Sequence, residues 1–183
     1  MKKIILYTLL TLMSLNLTSC SDDEWGNGDP AMENVYYFGF KEWTAKLNNS
    51  YIYNTTVGNS VDVVMQFWCE YKRSYDVTTY FYVTSSNLVV GTDVQLLDGS
   101  GNVLSPDANG TYSLVWPNAL KGVKNVTVKS IGDKKGSLII STHDPNSSVA
   151  MTSDDVTTTV NNHTDQYEVR CFTRNYKVTV NIK

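Results

Sequence analysis

The chain has 183 residues, of which 42% are hydrophobic, and its 15 Lys and Arg against 18 Asp and Glu leave a formal net charge of -3. That balance lacks the basic stripe by which a nucleic-acid binder collects phosphates, so nucleic acid is excluded as a partner. Three cysteines and two histidines, widely spaced, do not supply the ligand set of a zinc site.

Met1-Lys2-Lys3 gives a short positive start, and Ile4 to Leu17 is an almost unbroken apolar run. The run falls short of the roughly 20 residues that span a bilayer's hydrocarbon core, so it reads as a secretory signal rather than a membrane helix. It ends in Leu17-Thr18-Ser19-Cys20, with a small residue before a thiol. This stretch resembles the lipobox of bacterial lipoproteins. The resemblance implies that residues 1–19 are a cleaved signal and that Cys20 becomes an N-terminus bearing several acyl chains. Each buried methylene contributes about 0.8 kcal/mol, so several chains hold a membrane firmly where one binds reversibly.

Ser21-Asp22-Asp23-Glu24 follows at once. It resembles the surface-export signal of Bacteroidota lipoproteins, which implies an outer-membrane protein facing the cell exterior. Read from the residues alone, the acidic run is a solvated tether. Gly26, Asn27, Gly28, Asp29 and Pro30 continue it, so residues 20–34 read as a flexible linker and residues 35–183 as one domain.

Within that domain, residues 61–72 alternate. Val61, Val63, Met65, Phe67, Cys69 and Tyr71 share one face, and Asp62, Gln66, Glu70 and Lys72 share the other. Residues 76–85 are rich in Val, Thr, Tyr and Phe. Val94 to Leu97, the turn 98–102 and Val103-Leu104 form a hairpin signal, and the turn 106–110 leads into a strand over 111–116. Further strands are predicted over 123–130, 137–142, 156–160 and 166–173. Tyr176, Val178, Val180 and Ile182, alternating with Lys177, Thr179, Asn181 and Lys183, make the clearest strand of all. Short strands broken by Gly, Asn and Asp predict an all-β fold, an antiparallel immunoglobulin-like β-sandwich.

The succession Val83-Thr84-Ser85, Gly91-Thr92-Asp93, Gly122 to Val128 and Lys135 to Ile140 resembles the strand order of Calx-beta-type sandwich domains. Calcium-binding members gather acidic residues, whereas Asp133 here stands beside Lys134 and Lys135, so calcium is not carried over.

No catalytic motif or phosphate-binding loop occurs. His143 and His163 fall in polar turns. Glu70 and Glu168 would be the carboxylate pair of a glycosidase, but each is placed on a solvent face, where a carboxylate usually serves solubility. Two readings stand for Cys69 and Cys171: a disulfide formed in an oxidising compartment, or two buried thiols. Two also stand for Trp68, which falls on the wet face between Gln66 and Glu70. It is a stacking platform for a sugar ring, or it is covered by the Tyr36-Tyr37-Phe38 segment or a loop. The expectation is a lipid-anchored, non-catalytic binding module without cofactor, with a glycan as ligand. The alternative is a scaffold that contacts other envelope proteins.

Overall fold

The computed structural model describes residues 32–41, 51–147, 159–172 and 175–183. Cys20 and the run from Ser21 to Glu24 lie outside the described residues, as do positions 156–158 of the predicted strand 156–160. The chain divides into two units, Met1–Glu33 and Asn34–Lys183, and the second holds the fold.

That unit is a two-sheet β-sandwich. Its strands are β1 (Val35–Phe40), β2 (Ile52–Thr55), β3 (Ser60–Trp68), β4 (Val77–Ser85), β5 (Val94–Leu97), β6 (Thr111–Trp116), β7 (Gly122–Ser130), β8 (Gly136–Ser141), β9 (Thr159–His163), β10 (Glu168–Cys171) and β11 (Lys177–Ile182). Among the described residues, one sheet has six strands in the order β5-β7-β3-β1-β10-β9, the other five in the order β2-β11-β8-β4-β6.

The alternation that marks β3 and β11 works as expected. Val63, Met65 and Phe67 of β3 and Val178, Val180 and Ile182 of β11 are all buried, while their neighbours face outward. The two inner faces meet in an aromatic core. Phe67 stacks on Trp116 with ring centroids 5.2 Å apart, and Phe38 meets the same indole edge-on at 6.3 Å. The buried indole N–H donates to Thr79 Oγ1 at 2.9 Å, so this polar group is satisfied inside the core. Each large side chain buried in this way contributes about 1.5–3 kcal/mol.

Among the described residues, two strand ladders are parallel rather than antiparallel: β1 with β10 and β2 with β11. Both bring the start of the domain beside its end, one in each sheet. The Val94–Leu97 hairpin is reduced to a single bridge, Leu97 to Val103, and β5 makes its ladder with β7 instead. The Asp98 carboxylate organises the turn, accepting the N–H groups of Ser100 and Asn102 at 2.8 Å each.

β3 stops at Trp68 rather than running on to Lys72. The backbone N–H of Arg73 donates to the Asn118 carbonyl at 2.7 Å, and the Cys69 thiol donates to the Ala119 carbonyl. Contacts with the 3₁₀ turn Pro117–Ala119 thus replace strand pairing. The predicted strand 166–173 likewise shortens to Glu168–Cys171.

β4 pairs with β8 only over Tyr82 to Ser85. Ahead of that, its backbone is met by side chains of β9. Asn161 accepts from the Tyr80 N–H and donates to the Tyr80 carbonyl, both at 2.8 Å, and Asn162 donates to the Thr78 carbonyl at 2.8 Å. The Tyr167 hydroxyl accepts from the Thr78 N–H at 3.1 Å. Carboxamides suit this position because each offers donor and acceptor together, as a peptide group does.

Candidate functional site

The outer face of the six-stranded sheet carries Trp68. Parity along β3 sends Val63, Met65 and Phe67 into the core and Gln66 and Trp68 to the other side, where both are half-buried. Register places Trp68 opposite Tyr37 of β1 and Gln66 opposite Gly39. Gly39 matters because Phe172, the residue after β10, lies across it. A Cβ added at Gly39 would sit 2.6 Å from Phe172 Cδ2.

Seated over the bare backbone, Phe172 links its neighbours. Its centroid is 5.0 Å from the Trp68 ring, edge to face at 88°, and 6.3 Å from the Tyr37 ring, nearly parallel at 22°. Phe172 itself is 2% exposed, so it is the floor, and the half-buried Trp68 and Tyr37 are the parts that reach solvent. Such edge-to-face and offset pairs add about 0.5–1.5 kcal/mol beyond area burial and fix ring orientation.

Polar groups border this row. Tyr37 is in register with Arg170 of β10. Arg170 Nε donates to Glu168 Oε1 at 2.5 Å, and Glu168 Oε2 lies 3.4 Å from His163 Nδ1, which forms an ion pair when the imidazole is protonated. Glu168 is therefore committed to neighbours on its own face. On the far side of Gln66, the Asp62 carboxylate holds the Thr127 hydroxyl at 2.6 Å and the Asn125 amide at 3.0 Å.

Glu70 is exposed, as its place on the solvent face predicts, but it lies in the bend after β3, beyond the strand that carries Gln66 and Trp68. The structure brings Trp68 and Gln66 together and adds Tyr37, Phe172 and Gly39, which the sequence reading did not assign to the site. Two signals were available: a glycine inside the aromatic stretch Val35 to Phe40, and parity along β10 that turns Phe172 away from Val169 and Cys171. Glu168 is held by Arg170 within β10, and Glu70 lies in the exposed bend after β3.

The disulfide alternative is also corrected, because Cys69 and Cys171 are both free thiols. Phe38 of β1 pairs with Phe67 on one side and with Cys171 on the other, so β1 stands between β10, which carries Cys171, and β3, which ends one residue before Cys69. Two strand spacings are about 9.5 Å, beyond the roughly 4.4–6.8 Å between Cα atoms that a disulfide bridges. Burial pushes the Cys171 thiol up to about 12, and the half-buried Cys69 thiol is raised by burial as well.

A second cluster closes one end of the sandwich. The Tyr36 and Tyr75 hydroxyls lie 2.7 Å apart, Arg73 Nε donates to the Tyr36 hydroxyl at 3.1 Å, and Tyr75 stacks on Tyr167 at 5.8 Å. Burial, then the Tyr36 hydrogen bond, hold the Tyr75 phenol above its ordinary range. These groups bind one another, so the cluster is read as structural.

His143 is half-buried, edge-on to Tyr176 at 5.7 Å, and burial lowers its pKa against a weaker opposing effect of Asp144. His163 is exposed. Among the described residues, no group of three or more His, Cys, Asp or Glu is placed to hold a metal ion, and no helix is long and apolar enough to cross a membrane.

The fold and this face together define a two-sheet β-sandwich with an aromatic row on its outer surface. No family model matches the chain, and no curated protein matches it. Among solved structures, the apo form of a Calx CBD1 domain aligns with a TM-score of 0.41 and 8% identity, covering 81% of this chain and 97% of that one.

Proposed function

We propose that this protein is a lipid-anchored, non-catalytic binding module of a bacterial cell surface, held to the outer membrane through Cys20, with a glycan as its ligand. The observation that carries the ligand class is the Trp68 indole, half-buried on an outer sheet face and held in orientation by Phe172. A pyranose ring presents a flat C–H face that stacks on such a surface, and nearby amide and charged groups take its hydroxyls. Gln66 lies on the same strand face, and Arg170 and Glu168 follow beyond Tyr37. The lipobox resemblance supports the anchor and the Ser21-to-Glu24 run supports outward display.

A glycan array followed by calorimetric titration tests the ligand class. Trp68→Ala is expected to weaken binding about 2- to 12-fold, the equivalent of 0.5–1.5 kcal/mol for a stacking contact. Its circular dichroism spectrum should remain that of the parent, because Trp68 lies outside the inner core. Absence of binding to any polysaccharide, or unchanged affinity in Trp68→Ala, would remove the glycan reading and leave the scaffold alternative. Mass spectrometry of the mature N-terminus tests acylation of Cys20 separately.

A further inference from the structure

Among the described residues, strand β6 forms one edge of the five-stranded sheet and pairs only with β4. The direction of its free hydrogen-bonding groups follows from β4. The backbone groups of Thr78 and Tyr80 turn toward the β9 asparagines, so those of Val77, Thr79 and Phe81 turn toward β6. Their partners Trp116, Leu114 and Tyr112 are thereby used. Thr111, Ser113 and Val115 must present N–H and C=O to the other side.

Thr111 is already engaged. Its N–H donates to the Asp107 carboxylate at 2.9 Å, and its carbonyl accepts the Asp107 N–H at 2.9 Å. Among the described residues nothing pairs with the outward backbone groups of Ser113 and Val115, and both side chains are exposed, Val115 at 45%. The strand Thr-Tyr-Ser-Leu-Val-Trp carries no charge, bulge or proline, the usual devices that blunt a sheet edge. Other edges are blunted: β5 is covered by Leu104, whose N–H donates to the Leu96 carbonyl at 2.8 Å, β9 pairs across a bulge, and β2 is four residues long.

We infer that β6 is a self-association edge, and that a second copy of this chain pairs with it antiparallel about a two-fold axis at Leu114. The choice of occupant rests on self-complementarity. In that register Ser113 lies opposite Val115 of the second copy and Val115 opposite its Ser113. All four open groups of each strand then find the reciprocal group on the other, and the already occupied Thr111 is not needed. The absence of charge leaves no like-charge repulsion across the axis, where side chains of identical strands must face each other. The two five-stranded sheets become one continuous sheet through the pair.

Sedimentation equilibrium on the full chain in detergent, with micelles in large excess over protein, reads the mass. Hydrogen exchange resolved at single amides reads the site. The expected result is a mass rising from one chain toward two with concentration, and Ser113 and Val115 amides gaining protection over the same range. Tyr112, Leu114 and Trp116, already bonded to β4, should be unchanged. Val115→Lys places a charge on each strand beside the axis and should keep the chain monomeric with its circular dichroism unaltered. Ser113→Pro deletes an outward N–H without touching the β4 ladder and should do the same. A parent chain that stays monomeric at the highest concentration overturns the inference. So does a dimer whose Ser113 and Val115 amides exchange freely, or one that survives Val115→Lys. Protection of both amides at monomer mass would mean that another segment occupies the edge, and also overturns it.

Discussion

Gly39→Ala puts the aromatic row under direct strain. The added methyl carbon would lie 2.6 Å from Phe172 Cδ2 and 3.2 Å from Cε2. Carbon atoms pack at about 3.5–4.0 Å, so the ring must retreat by about 1 Å. Phe172 is 2% exposed and already in contact with Trp68 and Tyr37, so the move disturbs both neighbours. Overpacking of this kind costs about 1–3 kcal/mol. Replacing a strand glycine by alanine returns about 0.5–1 kcal/mol through the unfolded chain. The balance is a loss of up to about 2.5 kcal/mol, which for a domain of this size lowers Tm by up to about 10 °C. Thermal denaturation followed by circular dichroism gives the shift, and tryptophan fluorescence reports the changed surroundings of Trp68. The same substitution in a Phe172→Val background should lose its penalty, because the clashing ring atoms are gone. A Tm that rises in Gly39→Ala, or a penalty that persists in the Phe172→Val background, would refute the close approach as the reason for glycine.

Asn161→Ala removes both bonds to Tyr80 and the 2.7 Å bond to the Thr142 carbonyl, leaving backbone groups of β4 unpaired. Urea denaturation should show a loss of about 2–4 kcal/mol, whereas exposed Asn146→Ala should change little. The lowered pKa of His143 means that the folded state holds fewer protons than the unfolded chain near and below 6.5, its ordinary value. Its contribution is therefore present above that pH and lost as pH falls through the lower, folded value. Tm measured across that interval should fall less steeply in His143→Phe than in the parent. Cys171, buried with its thiol pushed up to about 12, should resist thiol reagents in the folded protein. Cys69 should react slowly, and denaturant should release both, read as mass shifts on mapped peptides.

How far the sequence could be read depended on how each strand buries its faces. β3 and β11 were legible because one face is core and the other wet, which makes residue parity an unambiguous label. β1 was not read as a strand, since Val35 to Phe40 is apolar throughout: Tyr36, Phe38 and Phe40 face the core, and Tyr37 joins the outer row. β2 is four residues long and two of them are polar, so local pattern says little. The parallel pairings escaped for another reason. They join segments at opposite ends of the domain, and nothing in either stretch names the other. Parity along β3 holds for Gln66 and Trp68, which fall on the outer face, and does not extend to Glu70, because contacts of Cys69 and Arg73 with the 117–119 turn take over past Trp68. Phe172 fell inside the predicted strand 166–173, but its seat on Gly39 depends on a strand pair that only the tertiary structure reveals.

The parallel pairing of β1 with β10 has a mechanical side. β1 is an interior strand, bonded to β3 along one flank and to β10 along the other. A pull along the strand direction on the residues ahead of Val35 does not peel an edge one bond at a time. It loads both ladders at once in shear, so their hydrogen bonds must break together rather than in turn. Forced unfolding follows the rate of escape over that barrier rather than equilibrium stability. Single-molecule pulling from the N-terminal end should therefore meet a high, sharp rupture force, while the same device attached within β6, at the sheet margin, should unzip the domain at a much lower one.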